Sequence, residues 1–328
     1  MVPIGQLSSE LFTLPRGFDV TCLDVFRYQQ AHNALYRDFI AGIRLDPQKL
    51  SHVSEIPFLP VEFFKSHRIL SEGMGTDLVF SSSGTTGTFT SKHYVADRKL
   101  YETSFREAFT RFYGNITDYC VLALLPSYLE REGSSLIYMA RDLISASAHP
   151  DSGFYLHNLE ELHRCLLRQE ASGQKTLLLG VSFALLDFAD AHPMELKHTL
   201  IMETGGMKGK RKELVREELH AYLCARLGVK TIHSEYGMTE LLSQAYSQGN
   251  GIFQCPPWMK VVARDTNDAL SKAPDGKTGG INVIDLANLY SCSFIATQDL
   301  GRVNKDGSFE ILGRFDNSDI RGCNLLLA

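Results

Sequence analysis

The 328-residue sequence has no long apolar run, no basic run and no closely spaced cysteine pair. Its longest apolar stretches, residues 121–125 and 176–181, fall far short of the ~18 residues that a membrane span requires, and they read as buried strands. A formal net charge of −5 without a basic cluster excludes a general attraction to nucleic acid or to an anionic membrane. The seven cysteines, at positions 22, 120, 165, 224, 255, 292 and 323, are scattered. That pattern argues against a disulfide frame or a zinc knuckle, and for reduced thiols in a cytoplasmic protein. Eleven histidines include no His-x-x-x-His pair beside a carboxylate, so spacing indicates no metal site. Residues 1–16 lack a basic stretch followed by an apolar one, and no secretory signal is expected. Repeats and low-complexity segments are absent as well. What remains is ordinary globular composition, 44% hydrophobic and 22% charged, in a chain long enough for a sizeable core.

The apolar spacing of residues 18–41 predicts a helical entry, broken further on by Pro57 and Pro60. Asp97 is placed to cap a helix running to Gly114, because its carboxylate can accept from unpaired first-turn N–H groups. Strand-like runs at 119–125, 175–179, 199–203 and 230–233 then alternate with helix-like segments at 134–147, 159–169, 183–191 and 211–227. Such alternation predicts an α/β fold, a sheet covered by helices. After Gly249 the sequence becomes turn-rich and β-like, with a strand at 281–286 and a hairpin turn at Asn304, Lys305, Asp306 and Gly307. The expected organisation is an α/β body over 1–250 and a β-rich portion over 251–328.

Three segments carry chemistry. The first follows Phe80 and holds Ser81, Ser82, Ser83, Gly84, Thr85, Thr86 and Gly87. Glycines let the backbone turn tightly so that several N–H groups point at one anion, and the hydroxyls add donors. A polyphosphate suits that loop, although a solvated surface loop has the same composition. Neither glycine begins a Walker string. The second segment is Tyr236, Gly237, Met238, Thr239 and Glu240, after the apolar run that ends at His233. Open α/β sheets bind ligands at the carboxyl ends of their strands, and a carboxylate there can hold Mg²⁺ against phosphate oxygens. The alternative is a tight turn leading into a helix capped by Thr239 and Glu240. In the third segment, folding about the 304–307 turn brings Asp299 and Arg314 to the same end of one hairpin. A carboxylate and a guanidinium there can address ribose hydroxyls, or form only a rim ion pair.

In order and spacing these segments resemble the adenylate-forming superfamily of acyl-CoA synthetases, peptide-synthetase adenylation domains and firefly luciferase. The match spans residues 81–322, and residues 56–60 are similar to the lead-in of phenylacetate–CoA ligases. A narrower resemblance is to the LuxE-type acyl-protein synthetase of bacterial luminescence, carried by residues 56–65, 204–209 and 320–324. It implies the adenylate-forming large-domain fold, helix-covered sheets with a β-rich C-terminal subdomain. It also implies ATP, Mg²⁺ and a carboxylic acid, a fatty acid above all, activated as acyl-AMP and transferred to a protein cysteine. By the same resemblance Ser82, Ser83, Gly84, Thr85, Thr86 and Gly87 hold the ATP phosphates. Gly205, Gly206 and Tyr236, with Gly237 beside them, frame the adenine. Thr239 touches the α-phosphate, Glu240 the magnesium, and Asp299 and Arg314 the ribose.

Cys323 is the implied acyl acceptor, since a thiolate attacks an acyl adenylate well and a chain end is suited to carry a thioester. Its other reading is a small apolar residue beside Leu325, Leu326 and Leu327. The implied partner is an acyl reductase, an acyltransferase or a carrier protein. Two alternatives stay open: a ligase delivering to coenzyme A or a carrier protein, and a non-catalytic nucleotide- or acyl-binding subunit. The sequence departs from the wider superfamily in two ways. Lys92 is displaced from the usual lysine position after the loop. The chain also ends shortly after Gly322, where relatives continue into a mobile C-terminal domain with a catalytic lysine. That domain is expected to be lacking, with Lys208 and Lys210 as candidate replacements on position alone.

Overall fold

A computed structural model describes residues 2–82, 90–126, 133–205 and 214–315. These residues divide into two compact units. One contains the described parts of 78–92 and 97–256; the other contains those before 78, residues 93–96 and those after 256.

In the 97–256 unit, the sheet runs Phe253–Gln254, Ala245–Ser247, His233–Tyr236, Thr199–Thr204, Thr176–Val181, Cys120–Leu124, Gly153–Phe154. From His233–Tyr236 to Gly153–Phe154 the pairing is parallel, and Ala245–Ser247 and Phe253–Gln254 add antiparallel neighbours. Parallel neighbours need crossovers, and helices supply them: Ser135–Ser147, Leu159–Ser172, Ser182–Ala191 and Arg216–Leu227. Cys120–Leu124 and Thr176–Val181 are buried at every position, which is why they read as unbroken apolar runs. Side chains cap two of the helix starts, the first of them where the sequence suggests. The Asp97 carboxylate accepts from the Lys99 N–H at the head of Arg98–Tyr113, and Asn158 caps Leu159–Ser172 through the Glu161 N–H at 3.1 Å.

One strand is displaced from its expected place. The apolar run 230–233 predicts a strand there, whereas the ladder begins at His233, opposite Met202, and ends at Tyr236. Ile232 is buried without joining the ladder. Burial and pairing are separate demands, and apolarity tracks only burial.

The other unit is built on the antiparallel strands Met259–Arg264, Thr278–Asp285, Phe294–Val303 and Phe309–Arg314. Leu59–Pro60 pairs in parallel with Phe294–Val303. The hairpin turn forms where the sequence places it: the Asn304 N–H donates to the Ser308 carbonyl at 2.8 Å and the Gly307 N–H to the Asn304 carbonyl at 3.0 Å. Residues 18–41 form two helices, Phe18–His32 and Ala34–Gly42. Asn33 separates them because its side chain accepts from the Tyr36 N–H at 3.1 Å, acting as a cap in mid-pattern.

The N-terminal helices belong with the C-terminal strands, a grouping that differs from a body spanning 1–250. Polar side chains fix it. The buried Gln29 carboxamide donates to the Asn288 and Leu289 carbonyls, each at 2.9 Å, and accepts from the Ser293 N–H at 3.0 Å. Asn33 donates to the Ser291 carbonyl at 2.9 Å. Among the described residues, no helix is long and apolar enough to cross a membrane.

Candidate functional site

The parallel strands of the 97–256 unit finish in register. Val181 pairs with Thr204, and Thr204 with Glu235, so Ser182, Gly205 and Tyr236 leave the sheet along one carboxyl edge. That edge is where open α/β sheets place their ligands. Gly205 adopts φ 67°, a left-handed position, and among the described residues no heavy atom lies within 4 Å of where its Cβ would stand. The Ser182 hydroxyl donates to its carbonyl at 2.8 Å.

The base of the Ser/Thr/Gly segment is pinned. The Ser82 N–H donates to the Ser91 carbonyl at 3.1 Å, and the Ser82 Oγ accepts from the Ser91 N–H at 3.0 Å. The Ser81 N–H donates to the Gly133 carbonyl at 2.7 Å. Lys92 is exposed at the start of Lys92–Val95. Ser83, Gly84, Thr85, Thr86 and Gly87 lie outside the described residues, as do Gly206, Lys208, Lys210 and Cys323.

Beyond Tyr236 the chain turns back into an antiparallel strand, pairing Tyr236 with Ala245. The Leu241 N–H donates to the Met238 carbonyl at 3.2 Å. No helix follows, so Thr239 and Glu240 belong to the turn itself and the helix-capping alternative does not describe it. Thr239 is half-buried and Glu240 is 6% exposed. Both offer oxygen donors only, which suits a hard cation such as Mg²⁺. Tyr236 packs edge-on against Phe253 at 5.9 Å and keeps 9% of its surface exposed, so only a rim of the ring is open.

Gly237 sits in close approach: a Cβ there would lie 2.4 Å from the Glu235 Oε1, so a larger residue would have to displace that carboxylate. Glu235 is buried and accepts a hydrogen bond from the Thr204 hydroxyl. Burial, with the neighbouring Glu203 charge adding, pushes its pKa up to about 7. Glu203 goes the other way. Burial raises it, but His220 at 3.6 Å and Arg216 at 3.4 Å outweigh that and hold it below its ordinary value. Two neighbouring carboxyls are thus driven to opposite protonation tendencies.

Linkage gives the Glu235 shift a measurable consequence. Between its ordinary 4.5 and about 7, the folded chain keeps a proton that the unfolded chain releases, so stability falls as pH rises through that window. The full loss is on the order of 3 kcal/mol. The Glu203 contribution is lost only as pH falls below the ordinary carboxylate range, outside this window. Urea unfolding from pH 5 to 8 is expected to show the decline in the wild type and a flatter profile in Glu235→Gln. Equal slopes in the two proteins would refute it.

Sequence reasoning missed Gln244. It is buried, its Cγ lies 3.5 Å from the same Gly237 position, and its carboxamide oxygen lacks a partner among the described residues. A buried orphan acceptor costs about 1–3 kcal/mol unless a water or ligand donor completes it. Nothing in the local sequence distinguishes this glutamine, since only folding brings it beside Gly237.

In the other unit, Asp299 and Arg314 are cross-strand partners, with Arg314 Nε 3.2 Å from Asp299 Oδ1. The hairpin brings them together as expected. The Asp299 side chain is 12% exposed and that of Arg314 65%. Arg264 steadies the strand from behind, donating to the Ile281 carbonyl at 2.8 Å and the Thr297 carbonyl at 2.6 Å. The Thr297 hydroxyl accepts from the Asp299 N–H at 3.1 Å.

No protein-family model matches the chain, and no curated protein does. Solved structures do. An ATP-bound MatB from Rhodopseudomonas palustris aligns with TM-score 0.56 and 19% identity, over 74% of this chain and 50% of MatB. An open conformation of 2-hydroxyisobutyryl-CoA ligase in complex with 2-HIB-AMP and CoA aligns with TM-score 0.65 and 13% identity, over 90% of this chain and 73% of the ligase. The same ligase in a postadenylation state with 2-HIB-AMP gives TM-score 0.65 and 13% identity, over 91% and 68%. The chain therefore has the α/β large-domain fold of adenylate-forming ligases, and it spans about half the length of the MatB structure.

Proposed function

We propose that this chain activates a carboxylic acid, a fatty acid by the LuxE-type resemblance, as an acyl adenylate and passes the acyl group to the Cys323 thiol. The observation that carries the reading is the Thr239–Glu240 turn. It sets a buried carboxylate and a hydroxyl beyond Tyr236, the strand end that shares a carboxyl edge with Gly205, in a fold shared with adenylate-forming ligases.

In the first step a carboxylate oxygen attacks the α-phosphorus of ATP. An O–P bond forms, the bond to the β-phosphate bridging oxygen breaks, and pyrophosphate leaves. In the second, the Cys323 thiolate attacks the acyl carbon, the C–S bond forms, and AMP departs with the electron pair of the broken C–O bond. The thiol proton goes to solvent. Mg²⁺ bound at Glu240 would supply charge neutralisation for the phosphate oxygens. The chain's own residues position and neutralise: the Ser82 hydroxyl and the N–H groups and hydroxyls at Ser83, Gly84, Thr85, Thr86 and Gly87 orient the phosphates, the Ser82 N–H being held by the Ser91 carbonyl, and Thr239 addresses the α-phosphate. Gly205, Gly206, Tyr236 and Gly237 border the adenine, and Lys208 or Lys210 is the candidate for the lysine that assists adenylation. The scattered cysteines of the sequence suit a cytoplasmic setting, and an acyl reductase, acyltransferase or carrier protein would take the acyl group onward.

The ribose assignment is open to kinetics. If Asp299 accepts from the ribose, Asp299→Ala should raise the KM for ATP by about 10–100-fold, the scale of a hydrogen bond to a charged group. A purely structural ion pair with Arg314 would leave KM unchanged and show only as a loss of stability. Steady-state kinetics in ATP separates the two.

Incubation with radiolabelled acid and ATP tests the two-step reading: hydroxylamine-labile label on the protein supports it. A second reading has its own support in the 2-hydroxyisobutyryl-CoA ligase structure that holds CoA. Under it the product is a thioester of free coenzyme A, with no label on the protein.

A further inference from the structure

Away from that carboxyl edge, two helices bring together three side chains that ligate metals. Glu160 and His163 lie one turn apart on Leu159–Ser172 and so share a face. His192 is the C-cap of Ser182–Ala191, its backbone N–H donating to the Phe188 carbonyl at 2.9 Å. One ligating atom from each of the three lies within 4.8 Å of the others. His192 Nε2 stands 3.5 Å from Glu160 Oε1. The His163 and His192 rings stack with centroids 4.6 Å apart and planes at 21°, and Phe188 backs the His192 ring at 5.4 Å. The His192 side chain is 12% exposed and that of Glu160 78%, so the cluster opens to solvent on the carboxylate side.

We propose that Glu160, His163 and His192 form a binding site for a borderline divalent transition-metal ion, Zn²⁺ before others, that staples these two helices. Two imidazole nitrogens and one carboxylate oxygen are a donor set for Zn²⁺, whereas Mg²⁺ and Ca²⁺ take oxygens. Zn–N and Zn–O bonds of ~2.0–2.2 Å in tetrahedral geometry place donor atoms about 3.4 Å apart. The Glu160–His192 separation already meets that distance. Rotation of the exposed Glu160 side chain and the His163 ring closes the remainder, leaving the fourth position to water.

The staple is separate from the oxygen-donor turn at Thr239 and Glu240. It has a route to the candidate site nonetheless, because Ser182–Ala191 begins at the serine that holds the Gly205 carbonyl. Fixing the far end of that helix fixes the post on which Gly205 rests.

The test uses the full chain, stripped with chelator and held in excess Mg²⁺ so that oxygen-donor sites are filled. Calorimetric titration with ZnCl₂ should show one tight equivalent, weakened at least about tenfold in His163→Ala and in His192→Asn. Zn²⁺ should raise the unfolding midpoint of the wild type and not of these variants. Glu160→Gln, at an exposed position that the fold does not depend on, should weaken binding in the same direction. Titration with Co²⁺ should give visible ligand-field bands without a thiolate charge-transfer band. Absence of binding, unchanged affinity in the histidine variants, or a thiolate band pointing to the cysteines would each overturn the proposal.

Discussion

Glu240→Gln is expected to lower acid-dependent ATP–pyrophosphate exchange by a factor on the order of 10²–10³, the scale for losing one preorganised electrostatic contact at a reacting phosphate. The substitution keeps the shape of the side chain but removes its charge and turns one accepting oxygen into an N–H donor. Glu240 is buried in a tight turn, so a nearly isosteric amide should leave the Leu241 N–H to Met238 carbonyl turn bond in place. Circular dichroism and the unfolding midpoint check that the fold survives. A charge role also predicts that raising the Mg²⁺ concentration restores part of the lost rate, because the defect is weakened ion binding. If Glu240 only packs the turn, exchange stays near wild type while stability falls.

Cys323→Ser is expected to abolish hydroxylamine-labile acyl labelling while leaving pyrophosphate exchange intact. Cysteine carries a few per cent thiolate near neutral pH and is intrinsically far more nucleophilic than a serine hydroxyl. The described cysteines are poor substitutes. Cys22, Cys120, Cys165 and Cys292 are buried, and burial pushes the Cys22 thiol well up and Cys292 up to about 12. A hydrogen bond from Cys120 pulls the Cys165 thiol down, but that sulfur is fully enclosed beneath its helix. Cys224 and Cys255 are half-buried, and serine variants of each serve as controls. Label that persists in Cys323→Ser and disappears in one of those controls would move the acceptor. Label that appears only on added coenzyme A would favour the acyl-CoA ligase reading.

Much of the fold was legible because its central strands are buried on both faces and therefore read as continuous apolar runs, as at Cys120–Leu124 and Thr176–Val181. Caps were legible for a different reason. Asp97 acts on an N–H two residues away, so its partner is near it in sequence. The closeness of Asp299 and Arg314 followed from the hairpin turn, whereas their direct pairing depends on a register shift between Leu300 and Gly301 without which Asp299 would face Gly313. What escaped depends on contacts made across long stretches of chain. Gln29 and Asn33 tie the first helices to carbonyls of Asn288, Leu289 and Ser291, and an amide in a helix does not announce so distant a partner. His163 and His192 meet only because two helices pack side by side. Gln244 meets Gly237, its carboxamide oxygen without a partner among the described residues, only when the turn after Tyr236 folds. The strand at His233–Tyr236 shifted because Ile232 is apolar for burial and not for pairing.

The central claim is that this chain forms an acyl adenylate. Pyrophosphate exchange into ATP, run with the purified protein over a panel of carboxylic acids of graded chain length, tests it most directly. The expected result is exchange that requires both an acid and Mg²⁺, rises with one class of acid, and collapses in Glu240→Gln. Exchange no higher than the acid-free blank for every acid, from protein shown to be folded, would contradict it.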